Sequence, residues 1–189
     1  GNPSSPHQFG RRSRQLLDEA RCEVATAMRV NEREVVFTSG ASEANRWLID
    51  ALVHQGLTQR RRPLVLASQL EHSSISKPLI AAQNQGFLDV GWFHVSEQGT
   101  IDWPDAPKNA DVVFLTAAHN ETGLLPPIEQ VGALLPSGTA FFVDAAQWAG
   151  RMGELPPRVD AFCISGHKLG APSGVGAVVL RGNAARLVS

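Results

Sequence analysis

The chain of 189 residues is poor in cysteine, in net charge and in long apolar runs. Its two cysteines, Cys22 and Cys163, are too few for a disulfide framework or a cysteine-based metal site, so we expect no bound metal and a reducing cytoplasm. The net charge of -1 gives no electrostatic basis for binding nucleic acid or an anionic membrane surface. The longest apolar runs have the length of a strand, which argues against a transmembrane helix.

The composition that remains, with 43% hydrophobic and 19% charged residues, is typical of a globular domain with one core. Short apolar runs alternate with segments of helical periodicity. We predict helices over residues 12–28, from 43, over 75–85 and over 128–135, and strands over 35–38, 64–67, 87–93, 112–116, 140–143, 161–164 and 176–180. This alternation predicts a three-layer α/β/α sandwich with a mostly parallel, mixed sheet. The last two strands are joined too tightly for a helical crossover and should be antiparallel.

Details of two helices, the lead-in and one loop are also predicted. The first helix should carry an apolar stripe, and residues 1–10 should be an irregular lead-in. Pro78 predicts that the third helix starts late or is kinked. Trp103 and Pro104 are expected in a loop after the third strand.

Polar residues follow five of the predicted strands, at the point where each strand ends. These segments are residues 39–42, 71–72, 120, 144–147 and 165–168. In an open α/β sheet, ligands bind beyond the carboxyl ends of the strands. The sequence therefore predicts one ligand site at this edge of the sheet.

Lys168 is the most informative of these residues, because it follows a buried apolar run and precedes a turn rich in glycine and proline. A solvated loop lysine is the commoner situation for a lone lysine after a strand. At the mouth of a buried sheet, however, desolvation disfavours the ammonium form, and a neutral amine can form a Schiff base with an aldehyde. Asp144 should be half-buried; it could cap a helix or pair with a protonated heterocyclic nitrogen.

The other polar groups also have more than one interpretation each. The turn at 38–42 could bind a phosphate or simply cap a helix. His72 could be a base, a stacking platform or a surface histidine, and Asn120 and Gln147 could hold a phenolate oxygen or stabilise their own loops. Taken together, these groups match what pyridoxal 5'-phosphate requires. They provide an amine for its aldehyde, an anion for its pyridinium, donors for its phosphate, amides for its ring oxygen and a flat side chain for its ring face.

Six segments, in this order, resemble the cysteine desulfurases, pyridoxal-phosphate enzymes of the class V aminotransferase group with the type I fold. They are residues 1–7, 38–43, 71–72, 120–123, 144–147 and 165–168. The resemblance implies that Lys168 forms the Schiff base and moves the substrate's Cα proton. It implies that Asp144 pairs with the pyridine nitrogen and that His72 stacks on the ring and could move protons. It places Gln147 and Asn120 near the ring hydroxyl, and it assigns the phosphate to Ala41 (backbone), Ser42, Ser165 and His167.

The resemblance also implies an activity: removal of sulfur from L-cysteine to give alanine and an enzyme persulfide, in a homodimer that serves iron–sulfur cluster assembly through a sulfur-acceptor protein. Selenocysteine lyases, kynureninase-like hydrolases and epimerases of the same group are alternatives. A third possibility is a non-catalytic remnant or dimerising scaffold, and we expect self-association in any case.

The sequence departs from the family pattern in several places. Ser42 stands where threonine is usual, His119 replaces the first of two asparagines, and residues 169–174 lack the usual Tyr-Gly-Pro-Lys pattern. Neither cysteine matches the persulfide-forming cysteine of the family, so both are expected to be structural. We therefore expect residues 1–189 to be a pyridoxal-phosphate-binding large domain that lacks the family's N-terminal segment and C-terminal small domain, and that is catalytically incomplete alone.

Overall fold

The computed structural model describes residues 1–102, 109–182 and 184. Helices and strands alternate along them, as the apolar runs predicted. The helices are α1 (Gln8–Met28), α2 (Ala41–Gln59), α3 (Ser73–Asn84) and α4 (Ile128–Leu134). The strands are β1 (Val35–Thr38), β2 (Leu64–Ser68), β3 (Asp89–Val95), β4 (Ile101–Asp102), β5 (Val112–Thr116), β6 (Ala140–Asp144), β7 (Ala161–Ser165) and β8 (Gly176–Leu180).

The strands form one mixed sheet in the order β1, β8, β7, β6, β5, β2, β3, β4. Strands β7, β6, β5, β2 and β3 are parallel neighbours, and β4 pairs antiparallel with β3 at one edge. β8 is antiparallel to both β7 and β1, which confirms the predicted direction of the last strand. Because β8 separates them, β1 runs in the same direction as β7. The carboxyl ends of β1, β2, β5, β6 and β7 therefore lie at one edge.

Both faces of the sheet are covered, and this confirms the three-layer prediction. The strands β5, β6 and β7 are buried along their whole length, as expected for the middle of a doubly covered sheet. Helices α2 and α3 pack on one face, where Phe114 and Phe142 meet edge to face. Helices α1 and α4 contribute to the core of the other face, around Phe93 and Phe141.

Helix α1 differs most from its prediction. It begins at Gln8, inside the expected lead-in, because the His7 ring accepts a hydrogen bond from the Gly10 backbone N–H and caps the helix. The apolar stripe is only partly covered: of its residues Leu17, Ala20 and Val24 are half-buried and Val24 packs against the core, whereas Leu16 is 59% exposed. The fully buried residues are Gly10 and Ala25. Periodicity therefore predicted the helix and much of its covered side, but not which stripe residues stay exposed.

Smaller differences concern element ends. Helix α3 begins at Ser73, earlier than predicted, because the His72 side chain caps it, and Pro78 lies within it. β3 begins at Asp89, two residues after the predicted start, and the short strand β4 had no sequence signal strong enough to predict it. The predicted loop position of Trp103 and Pro104 lies outside the described residues.

No helix among the described residues is long and apolar enough to span a membrane.

Candidate active site

A cavity of about 460 Å³ opens at the carboxyl edge of the sheet, a volume suited to a small ligand. It is lined by all nine residues that the sequence singled out: Ala41, Ser42, His72, Asn120, Asp144, Gln147, Ser165, His167 and Lys168. A larger but shallower groove runs along α1 and includes none of them. The described residues contain no group of three or more histidine, cysteine or acidic side chains placed to hold a metal ion.

One wall of the cavity is the N-terminus of α2. Gly40 occupies the cap position, and no side chain among the described residues caps this helix, so its first backbone N–H groups, beside the cavity, lack a capping partner there. Ser42 lines the wall beside them, and across the cavity the Ser165 hydroxyl lies 3.0 Å from the His167 ring. Free amides at the positive end of a 19-residue helix, together with hydroxyls, make a suitable anion site.

The turn before α2 is held against β8 at very short range. A Cβ added to Gly176 would lie 2.6 Å from the Gly40 Cα, so only glycine fits there. Glu43, which also lines the cavity, accepts a hydrogen bond from the Ser39 backbone N–H, and this bond lowers the pKa of the Glu43 carboxyl. Packing therefore fixes the position of the anion-binding amides relative to the rest of the cavity.

Asp144 ends β6 and is 7% exposed, more buried than the sequence predicted. Its Oδ2 accepts a hydrogen bond from the Asn45 amide at 3.0 Å, and its Oδ1 accepts from the Ala146 backbone N–H at 2.9 Å and from the Cys163 thiol at 3.3 Å. Burial, with the charge of Asp144 adding to it, raises the pKa of the Cys163 thiol, which therefore stays a donor. No cationic side chain among the residues described pairs with Asp144.

This environment fits a cationic ligand nitrogen. A buried carboxylate is costly unless hydrogen bonds or a positive charge compensate it. Three donors hold Asp144, and its two oxygens together can accept about four bonds. The carboxylate therefore has capacity left for one strong donor from the cavity that it lines.

Glu71 lies behind the cavity and is also 7% exposed. Its Oε1 accepts hydrogen bonds of 2.7 Å from the Ser68 hydroxyl and from the Thr116 backbone N–H, and thereby links the ends of β2 and β5. Its Oε2 is buried without a hydrogen-bond partner among the described residues. Burial raises the pKa of Glu71 to about 8, and the nearby charge of Asp144 adds to the rise, while the two hydrogen bonds oppose it. Glu71 is therefore mainly protonated at neutral pH.

Lys168 lies in a 3₁₀ turn, Gly166–Leu169, directly after β7. Its backbone carbonyl accepts a hydrogen bond from Arg151 at 2.7 Å, which ties the turn to the segment after β6. The side chain is exposed, so the desolvation that its position after a buried strand suggested is not observed. It does line the same cavity as Asp144, so both groups are available to one ligand.

The remaining predicted residues occupy the rim. Asn120 is exposed. Gln147 is half-buried, and its side-chain oxygen Oε1 accepts a hydrogen bond from Arg151 at 3.4 Å. The His119 ring lies 2.9 Å from the Thr122 hydroxyl, so the residue that departs from the family pattern stabilises its own turn. His72 lines the cavity from the start of α3.

The sequence analysis missed Asn45 and assigned no role to Glu71. A signal for Asn45 was present, because it lies three residues before Leu48 and seven before Leu52, on the apolar face of α2. A polar residue on such a face needs a partner, and Asp144 is that partner. Glu71 gave no comparable signal, since its burial depends on strands distant in sequence.

Neither of the two cysteines lines the cavity. Cys163 is buried within β7, and Cys22 is exposed on α1 in the shallow groove. Neither forms a disulfide.

Comparison with known proteins identifies relatives over nearly the whole chain. The model of the family "Aminotransferase class-V" matches residues 1–188. A putative cysteine desulfurase IscS 1 of Bacillus subtilis is 34% identical over 93% of this chain and 48% of its own length, and cysteine desulfurase 2 of Trichormus variabilis is 35% identical over 96% of this chain and 46% of its own length. The chain thus spans about half the length of the curated relatives that it matches.

Solved structures agree with these relatives. DndA from Streptomyces lividans superposes with a TM-score of 0.82 at 34% identity, covering 96% of this chain and 52% of that one. A NifS-like protein superposes with a TM-score of 0.88 at 26% identity, and the match covers 96% of this chain and 51% of that protein's chain. The predicted resemblance and the partial type I fold are confirmed: the chain belongs to the aminotransferase class-V family of pyridoxal-phosphate enzymes, with cysteine desulfurases among its relatives.

Proposed function

We propose that residues 1–189 form the pyridoxal-phosphate-binding large domain of a cysteine desulfurase, which removes sulfur from L-cysteine and leaves alanine and an enzyme persulfide. The observation that carries the proposal is the buried Asp144 carboxylate, which has no cationic partner among the described residues and lines one cavity with Lys168 and the uncapped N-terminus of α2. These three features provide an anion, an amine and a phosphate site.

The residues of the cavity fit the cofactor's parts. Asp144 would hold the protonated pyridine nitrogen, and the first N–H groups of α2, including that of Ala41, would hold the phosphate. Ser42, Ser165 and His167 would add phosphate donors, Asn120 and Gln147 would approach the ring hydroxyl, and His72 would lie against the ring face. When bound, the cofactor would supply an electron-withdrawing ring that stabilises negative charge on the substrate's α-carbon.

Lys168 would have two tasks. Its amine would bond to the cofactor's aldehyde, and once free it would accept the proton from the substrate's α-carbon. The exposed position of this side chain on a short turn supports both tasks, because the amine can move between the two positions without disturbing the buried sheet.

Cysteine as the substrate is supported by the relatives, which are named cysteine desulfurases, and by a similar structure described as SspA in complex with cysteine. These names favour the desulfurase over the selenocysteine lyase, kynureninase-like and epimerase alternatives. Neither Cys22 nor Cys163 lines the cavity, so we propose that the persulfide-forming cysteine lies outside residues 1–189 and that this chain is catalytically incomplete alone. Iron–sulfur cluster assembly through a sulfur-acceptor protein, and a reducing cytoplasmic location suited to two free thiols, remain predictions.

The test is a labelling experiment on Lys168. The chain is incubated with pyridoxal phosphate and reduced with borohydride, and the modified lysine is located by peptide mapping. We expect the label on Lys168, its loss in Lys168→Ala, and its retention in Lys77→Ala, a matched exposed lysine on α3. Labelling spread evenly over the lysines, or no label in the wild-type chain, would contradict the proposal.

A further inference from the structure

Asn45 makes two hydrogen bonds with the same nitrogen, and they connect two parts of the cavity. It is 2% exposed on the buried face of α2. Its Nδ2 donates to Asp144 Oδ2 at 3.0 Å and to Ser74 Oγ at 3.1 Å. An amide nitrogen carries two protons and accepts none, so these two bonds use both of its protons.

The direction of these bonds follows from Asp144. An ionised carboxylate only accepts, so the Asn45 amide must turn its nitrogen, and not its oxygen, toward Asp144. The same nitrogen then makes Ser74 Oγ an acceptor. The Ser74 hydroxyl proton is left free, and the nearest group to receive it is Nδ1 of His72, at 2.8 Å.

The His72 ring is thereby restricted to one tautomer. Its Nδ1 also accepts a hydrogen bond from the Ser74 backbone N–H at 3.1 Å, so both groups that reach Nδ1 are donors. A nitrogen that accepts carries no proton, and the proton of the neutral ring must then lie on Nε2. No hydrogen bond within the described part of the chain involves Nε2, and the ring lines the cavity.

We propose that Asn45 is a positioning residue: through Ser74, it makes the ring tautomer of His72 depend on the Asp144 carboxylate. The donations in this relay diverge from Asn45: it donates to Asp144 on one side and to Ser74 on the other, and the Ser74 hydroxyl donates to His72. Its use rests on the proposed function, in which His72 lies against a ring whose nitrogen already carries a positive charge. A neutral His72 avoids a second positive charge next to that ring, and the same amide holds Asp144 in place for the nitrogen.

Other charged groups near the relay do not take part in it. Glu43, His167 and Lys168 line the same cavity but make no hydrogen bond to His72 or Ser74. Glu71 precedes His72 in sequence, but its bonded oxygen binds the ends of β2 and β5. The relay is therefore the one hydrogen-bonded path between Asp144 and His72 in the part of the chain that the structure describes.

The relay can be tested without cofactor, so that its failure is distinct from failure of the proposed function. Long-range ¹H–¹⁵N NMR of the cofactor-free chain measures the ¹⁵N chemical shifts of the two His72 ring nitrogens, and these chemical shifts report the tautomer. The spectra are recorded at about pH 8, where histidines are largely neutral. A His72→Gln variant assigns the signals. We expect a single Nε2–H tautomer in the wild-type chain. In Asn45→Ala we expect a mixture of tautomers, with the two nitrogen shifts moving toward each other.

A double-mutant cycle identifies the path. Asp144→Asn should change the ¹⁵N chemical shifts of the His72 ring nitrogens when Asn45 is present. This change should be lost when Asn45 is replaced by alanine. Ser74→Ala interrupts the relay without touching Asp144, and it keeps the test decisive if a variant at the buried Asn45 fails to fold. Asn84→Ala, at an exposed asparagine that ends α3, is the control.

Two outcomes would overturn the inference. If the His72 ¹⁵N chemical shifts are unchanged in both Asn45→Ala and Ser74→Ala, the Ser74 backbone N–H alone fixes the ring tautomer. An equal response to Asp144→Asn with and without Asn45 would show direct electrostatics in place of a relay. Either result leaves the Lys168 labelling experiment unaffected, and a chain that shows the relay but takes no label would retain the inference and lose the proposed function.

Discussion

Replacing Glu71 by glutamine should change how the stability of this protein depends on pH. In the folded protein, burial raises the pKa of Glu71 from its ordinary value of 4.5 to about 8. The amide of Glu71→Gln has nearly the shape of the protonated acid, and its carbonyl can still accept from the Ser68 hydroxyl and the Thr116 backbone N–H. The variant therefore removes the titration and keeps the contacts.

The sign and size of the effect follow from proton binding in the two states. Below pH 4.5 the carboxyl is protonated in both, so the substitution should matter little. Between 4.5 and about 8, the unfolded chain releases the proton while the folded protein retains it, so the free energy of unfolding of the wild-type protein falls as the pH rises. At about 1.4 kcal/mol per pH unit, the loss reaches at most about 5 kcal/mol at pH 8.

Urea unfolding of both proteins at a series of pH values between 5 and 8.5 measures this directly. Glu71→Gln should be close to the wild-type protein near pH 5 and more stable by several kcal/mol at pH 8, because other titrating groups cancel in the difference. Glu97→Gln, at an exposed glutamate between β3 and β4, is the control and should give a constant offset. Parallel stability curves for Glu71→Gln and the wild-type protein would refute a protonated Glu71.

Three further outcomes are expected. Asp144→Asn should weaken pyridoxal-phosphate binding by about tenfold to a hundredfold in equilibrium dialysis, since a charge-assisted hydrogen bond contributes about 1.5–3 kcal/mol; undiminished affinity would remove Asp144 from the site. Gly176→Ala should lower the free energy of unfolding by about 1–3 kcal/mol, because its Cβ would meet the Gly40 backbone, whereas Gly138→Ala should cost less in the same urea titration, because its Cβ would meet no described residue beyond its chain neighbours within 4 Å. The chain should form a dimer in light scattering, because apolar side chains such as Phe9, 76% exposed, lie uncovered on α1; a monodisperse monomer would contradict this.

The strands and their polar ends could be predicted because each depends on local sequence. An apolar run such as Val112–Thr116 forms a buried strand wherever it lies in the sheet, and the polar residue after it must then lie at the sheet's edge. Asp144, at the end of β6, and Lys168, just after β7, accordingly line one cavity. Even β1, which pairs only with an antiparallel strand, contributes its carboxyl end to that edge.

What could not be predicted depends on contacts between distant segments. The burial of Glu71 is set by β2 and β5, and its consequence, a protonated acid at neutral pH, follows from that burial and not from its neighbours in sequence. The same holds for Lys168, where the apolar run before it suggested desolvation and the short turn after β7 instead leaves it exposed. On α1, periodicity predicted the helix and the half-buried residues Leu17 and Val24, but it did not predict that Leu16 stays exposed.

The insertion of β8 between β1 and β7 has a consequence for the order of folding. Val35 pairs with Val179, and among the described residues β8 is the one strand that pairs with β1. During synthesis, β1 therefore cannot pair until β8 has been made, and such long-range pairing is slow to form. Gly40, in the cavity wall that follows β1, lies close against Gly176 of β8, so the ability to capture an anion there would report that these two strands have docked.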